Sequence, residues 1–200
     1  MNSIEILNEY GAVHLTKIVP IEFCYFLTHI LMRENAINGA VGDSQVPNAL
    51  VSVHGNIAFD TLHERLWSTI EKYSGKQLVP TYSYARLYSN GDLLEKHRDR
   101  PSCEYSVTIQ LGRSHHYAWP IYMDGIRFDM AEGDAIIYKG CEIDHWRDRC
   151  DGPPNYFSGQ VFLHYVDANG PYIEWAGDKR WNNTQQFPYQ KNRTISMEAK

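Results

Sequence analysis

The sequence predicts a mostly β fold with supporting N-terminal helices, and three observations carry that reading. Two apolar segments of helical period fall within the first 75 residues. The period changes to two at Leu78. From there to Val166, short apolar runs are punctuated by Gly, Asp and Pro. Helices followed by a run of strands imply helices packed on an all-β sandwich or barrel.

The elements follow in order. Residues 4–15 alternate loosely and predict a first strand. After Pro20, IEFCYFLTHILMREN places Phe23, Phe26, Leu27, Ile30 and Leu31 at helical spacing, and the Gly-, Asn- and Pro-rich NGAVGDSQVPN that follows reads as a loop. FDTLHERLWSTIEKYSG predicts a second helix, with Phe59, Leu62, Leu66 and Ile70 on one face and Gly75 as its stop. In VPTYSYARLYSNGD, Tyr82, Tyr84, Arg86 and Tyr88 share one side of a strand that ends in the SNGD turn. CEYSVTIQLG alternates strictly, with Cys103, Tyr105, Val107, Ile109 and Leu111 on one face. Shorter strands are expected at WPIYM, IRFDM, DAIIYK and QVFLHYV. The expected organisation is one domain over 1–177, with helices at about 20–75, a β core at about 78–166 and a polar tail over 178–200.

Length and charge narrow the function. Two hundred residues suffice for one buried core. A formal charge of -5 argues against a large nucleic-acid footprint, although one or two placed cations would hold a small anion. Cys24, Cys103, Cys141 and Cys150 contain no C-x-x-C pair, which speaks against a zinc knuckle or a secreted disulfide framework. MNSIEILNEYGAVHL has no signal-peptide pattern and no apolar run reaches membrane-spanning length, so the expected compartment is the cytoplasm, with no membrane partner.

The chemistry centres on His97-Arg98-Asp99. Residues two apart on an extended segment point the same way, so one imidazole and one carboxylate can grip one ion. Taken alone in the charged run KHRDR, they would read as a surface pair. His145, after the strand signal GDAIIYKGCEID, supplies a second imidazole. Two histidines and a carboxylate form the facial triad of non-haem iron oxygenases, which leaves coordination positions open.

LYSNGDLLEKHRDR resembles the metal-binding strand and loop of prolyl-hydroxylase-like 2-oxoglutarate/iron(II) dioxygenases, including a tyrosine, Tyr88, nine positions before the histidine. GDAIIYKGCEIDHWR resembles that family's second ligand region, and QVFLHYV its last core strand. The resemblance covers about residues 78–166. It implies a double-stranded β-helix, a cupin-like jelly-roll, with His97, Asp99 and His145 as metal ligands. The implied cofactors are Fe(II), 2-oxoglutarate as co-substrate, and O2. The implied reaction is hydroxylation of an unactivated C–H bond with release of succinate and CO2, on a peptidyl or small-molecule substrate. A carboxylate at position 99, where related halogenases carry a small residue, favours hydroxylation.

One departure stands out. The family places a Lys or Arg some eight to fifteen residues after the distal histidine to bind the far carboxylate of 2-oxoglutarate, and Pro153–Gln160 contains no cation. Arg147 is the expected substitute, with Tyr88 donating a hydrogen bond; Arg149 and Arg86 are the alternatives. Arg98 and Arg100 face either substrate or solvent. His115 and His116 are expected at the surface, and His164 as a satisfied core or cavity histidine. The competing function is a non-catalytic metal- or ligand-sensing jelly-roll. Loops 40–57 and 113–125 are expected to set substrate choice.

Overall fold

The computed structural model describes residues 1–179. Helix α1 spans Ser3–Tyr10, and strand β1 Ala12–Leu15. The expectation of a strand over residues 4–15 is therefore corrected in its first half. The Asn2 side chain accepts from the Glu5 amide and the Glu5 carboxylate accepts from the Asn2 amide, a capping box that satisfies two otherwise orphaned donors. Gly11, in the left-handed region at φ 71°, ends the helix.

The two predicted helices are α2 (Ile21–Asn38) and α3 (Ile57–Ser74). Asn56 caps the start of α3 and Gly75, again left-handed, closes it. Strand β2 (Val51–His54) lies between the helices. The remaining strands are β3 (Leu78–Ser89), β4 (Leu94–His97), β5 (Tyr105–Arg113), β6 (Ile121–Met123), β7 (Ile126–Phe128), β8 (Ala135–Lys139), β9 (His145–Arg147) and β10 (Phe157–Asp167).

These strands form two antiparallel sheets, ordered β1-β8-β5-β10-β3-β2 and β4-β9-β6-β7. From β3 to β10 the chain passes back and forth between the sheets, with the β6–β7 hairpin as one excursion into the smaller sheet, the winding of a double-stranded β-helix. Period-two alternation gives the larger sheet two distinct faces. Outward residues Ala85, Leu87, Val107, Ile109, Leu111, Ile137, Val161 and Leu163 join Leu7, Leu27, Leu31, Phe59, Leu62 and Ile70 of the helices in the main core. Inward residues face the smaller sheet and enclose the cavity described below.

Among the described residues, no helix lies over the smaller sheet's outer face. There Tyr122 and Trp146 stack with ring centroids 5.2 Å apart, and Lys96 Nζ sits 5.1 Å over the Trp146 ring. This cross-strand ladder covers the sheet. Trp146→Ala is expected to destabilise the protein by about 1–2 kcal/mol, which lowers Tm by roughly 2–8 °C, as thermal unfolding of the apoprotein would show. Among the described residues, no helix is long and apolar enough to cross a membrane. The polar tail expected from residue 178 lies, beyond 179, outside the described residues.

Candidate metal centre

A cavity of about 440 Å³ opens between the two sheets, lined by Tyr82, Tyr84 and Arg86 of β3, Phe162 and His164 of β10, and His97, Asp99 and His145. His97 ends β4 and His145 begins β9, and the two are direct partners in the ladder. Their ring centroids are 4.2 Å apart. Asp99 Oδ1 lies 3.7 Å from His97 Nε2 and 3.5 Å from His145 Nε2, so three potential ligand atoms fall within 4.8 Å of one another.

Local hydrogen bonds aim these groups. His97 Nδ1 lies 2.7 Å from the Glu95 carbonyl and His145 Nδ1 lies 3.3 Å from the Ile143 carbonyl. A carbonyl can only accept, so each ring carries its proton on Nδ1 and presents a bare Nε2. Burial, then the adjacent His145, pushes the His97 pKa below its ordinary value, which favours the neutral, ligating form. Burial works to raise the Asp99 carboxyl, but His145, His164 and the Ser106 hydroxyl outweigh it and hold the group below the usual carboxylate range. Ser106 Oγ donates to Asp99 Oδ2 at 2.9 Å, and the Asp99 amide donates to the Gly140 carbonyl at 2.8 Å. Two bare imidazole nitrogens and an ionised oxygen on one side of a cavity suit a divalent ion of the iron type.

Gly140 is the tightest point of this arrangement. A Cβ there would stand 2.3 Å from the Cys103 carbonyl oxygen and 2.5 Å from Asp99 Oδ2. Gly140→Ala is expected to cost about 1–3 kcal/mol of stability through overpacking and to weaken metal binding by about 10–100-fold by displacing the carboxylate. Metal titration beside thermal unfolding reads both.

The three sequence-nominated arginines occupy different environments. Arg86 lines the cavity, and its Nε and Nη2 donate to Asp43 Oδ2 at 3.1 and 2.5 Å, while Nη1 donates to the Tyr88 hydroxyl at 2.8 Å. Asp43 also accepts from the Tyr84 hydroxyl. Burial opposes ionisation of Asp43, yet Tyr84 and Arg86 hold its pKa at about 2. The charge of Arg86 is thus already answered.

Arg147 is 1 % exposed and shares the inward face of β9 with His145. Its Nη1 donates to the Trp119 carbonyl at 2.7 Å, but Nε and Nη2 are buried without a hydrogen-bond partner. Among the described residues no carboxylate pairs with it, and burial draws its pKa below the ordinary arginine value. The Trp119 ring contacts both this guanidinium, 5.0 Å from its centroid, and Tyr88, whose ring is also 5.0 Å away. Arg149 is exposed beside the Gly91 turn, away from the cavity.

His115 and His116 are exposed, and His164 is buried at the cavity wall with its pKa pushed down to about 4 by burial. Arg98 pairs with Asp144, and Arg100 with Asp178 while stacking over Tyr82. Of the two loops expected at the mouth, Asp43, Ser44 and Gln45 of the first line the cavity, and Ile121 of the second. The supporting roles of Ser106 and Gly140 were missed from sequence. The signal for Ser106 was the other face of β5, where Ser106, Thr108 and Gln110 place a polar group at every second position, in register with His164, Phe162 and Gln160 of β10.

No family model matches the chain, and no curated protein matches it by sequence. Solved structures do match in fold. A prolyl-4-hydroxylase from Pseudomonas putida is 15% identical at a TM-score of 0.59, with 81% of this chain and 96% of that one covered. The non-haem α-ketoglutarate-dependent epimerase SnoN from nogalamycin biosynthesis is 12% identical at a TM-score of 0.66, covering 82% and 81%. HygX from Streptomyces hygroscopicus, with nickel and 2-oxoglutarate bound, is 10% identical at a TM-score of 0.62, covering 81% and 85%. The chain has the double-stranded β-helix fold of the prolyl-hydroxylase-like 2-oxoglutarate oxygenases.

Proposed function

We propose that the protein is a 2-oxoglutarate- and iron(II)-dependent oxygenase that hydroxylates an unactivated C–H bond of a small-molecule or peptidyl substrate. The observation that carries this reading is the combination, on one strand, of a metal-ligand histidine and a buried arginine without a counter-ion. His97, Asp99 and His145 would hold the iron, with Ser106 and the two backbone carbonyls fixing the donor atoms. Iron(II), 2-oxoglutarate and O2, when bound, supply the oxidising power and release succinate and CO2.

Arg147 would receive the far carboxylate of 2-oxoglutarate through Nε and Nη2. Two residues along a strand span about 6.6 Å, which suits a five-carbon diacid reaching from beside His145 toward Arg147. Tyr88 accepts from Arg86, so its own phenolic proton is free to be donated to the same carboxylate. Arg86, neutralised by Asp43, would shape the mouth instead, and Arg149 stands too far out for a role in the cavity.

The test is anaerobic addition of iron(II) and then 2-oxoglutarate, followed by the visible metal-to-ligand charge-transfer band, with succinate measured after oxygen is admitted. The expected result is a band that requires both additions, and succinate thereafter. A folded, metal-loaded protein without the band overturns the proposal. A band without succinate would make the chain a metal- and ligand-sensing jelly-roll.

A further inference from the structure

Ser106 has one hydroxyl proton and four polar neighbours, one of which, the Tyr138 hydroxyl, can itself donate to Oγ. Its Oγ lies 2.9 Å from Asp99 Oδ2 and 3.2 Å from the Cys103 carbonyl oxygen, both of which can only accept. The third neighbour is His164 Nδ1, also at 2.9 Å. With the serine proton committed to the acceptors, the contact to His164 is a hydrogen bond only if Nδ1 is the donor. The ring is thereby fixed with its proton on Nδ1 and its lone pair on Nε2.

Among the described residues the ring's hydrogen bond is made at Nδ1 and none is made at Nε2, and the ring forms part of the cavity wall beside the metal ligands. Tyr82 packs against the ring at a centroid distance of 4.5 Å, and the Tyr82 hydroxyl is itself engaged with Cys103 Sγ at 3.1 Å. Neither can supply a proton to Nε2 without giving up its present contact. Beyond the metal ligands, the cavity wall therefore carries a further bare acceptor, set in orientation by Ser106 on one side and Tyr82 on the other.

We propose that His164 is a specificity-determining residue whose Nε2 accepts a hydrogen bond from the substrate. It selects molecules with an uncharged O–H or amide N–H beside the carbon presented to the metal centre. A carboxylate or an N-alkylated amide would set lone pair against lone pair, or leave the acceptor unanswered. The assignment of His164 to substrate, though not its tautomer, rests on the oxygenase reading above. Asp99, Cys103 and His164 also form a group that could hold a second ion, which would compete for the same ring.

The experiment uses the full chain labelled with ¹⁵N-histidine and loaded with one equivalent of zinc as a diamagnetic metal, with phenol and anisole as a matched pair of probes. Two-bond ¹H–¹⁵N correlation spectra are expected to show His164 as the Nδ1–H tautomer. Ser106→Ala is expected to lose that preference. Phenol is expected to move the Nε2 resonance and to bind about tenfold more tightly than anisole, the worth of one neutral hydrogen bond, and His164→Phe to abolish the difference. An Nε2–H tautomer in the wild type, or an equal or absent response to the two probes, overturns the proposal. So does a second equivalent of zinc that captures the Nε2 signal. The wild-type tautomer decides the first point even where a variant fails to fold. None of these readouts uses 2-oxoglutarate, so failure here and failure of the charge-transfer test are separately visible.

Discussion

Arg147→Met is expected to make the apoprotein more stable while it removes 2-oxoglutarate binding. A guanidinium that is 1 % exposed, with two nitrogens lacking partners, carries a desolvation cost that one bond to the Trp119 carbonyl offsets only in part. Methionine fills a comparable volume without charge, and replacing a buried charge in this way can stabilise by about 1–4 kcal/mol, or roughly 2–16 °C in Tm. The same change deletes the uncompensated guanidinium on the inward side of β9, so affinity for 2-oxoglutarate should fall at least about 100-fold. Wild-type protein at a ligand concentration of 100 Kd should gain about 2.7 kcal/mol, and the variant at the same concentration no more than about 0.4 kcal/mol. Calorimetry of both proteins, with and without 2-oxoglutarate, reads all four states. A variant that is less stable and still binds the co-substrate would return the far-carboxylate role to Arg86.

His145→Ala should lose the metal, and turnover with it. Its ring is buried, packed against His97 at 4.2 Å and Tyr138 at 4.8 Å, and supplies one of the three ligand atoms of the triad. Changes to groups that merely orient a ligand cost 10–100-fold in affinity; removal of the ligand itself should cost about 10³-fold or more, with succinate falling to background. The neighbouring Trp146→Ala is the matched control, because position 146 faces outward in β9. It should lower Tm and leave metal affinity unchanged. Metal titration of the two variants side by side separates loss of a ligand from loss of the sheet. Equal metal affinity in the two would remove His145 from the centre.

Much of this arrangement was legible in the sequence because it rests on local period. The β3 alternation sorted Tyr84, Arg86 and Tyr88 from Ala85 and Leu87 correctly, since a strand buried on both faces still keeps them apart. Pro20 before the first long helix and Gly75 after the second bound them as read, although the second begins at Ile57, two residues earlier than its apolar pattern marked. Short elements were harder. β4 and β9 are four and three residues long, too few for a period to declare itself, although they carry both histidines. In α1, loose alternation outvoted the Asn2–Glu5 box and the Gly11 stop. Cys103 was grouped with Tyr105 and Val107 by parity, but the 3-10 turn Pro101–Cys103 breaks the period and turns the thiol into the cavity. The isolation of Arg147 could not be read at all, because a missing counter-ion is a property of the whole interior.

The two-faced character of β3 also sets where the chain can tolerate change in length. Ser83 bonds Asp60 on α3, and Ala85 and Leu87 pack into the helical layer, while Tyr84 and Arg86 border the ligand cavity from the next positions along. Deleting one residue from the middle of this strand would exchange the two sets beyond the cut. An arginine would then be driven into the apolar layer, and alanine and leucine would border the site where an anion is to bind. Insertions between the strands meet no such parity constraint. Diversification of this scaffold is therefore confined to its connections, and the mouth loop carrying Asp43 and Gln45 is where a change of length reaches the cavity without crossing that constraint.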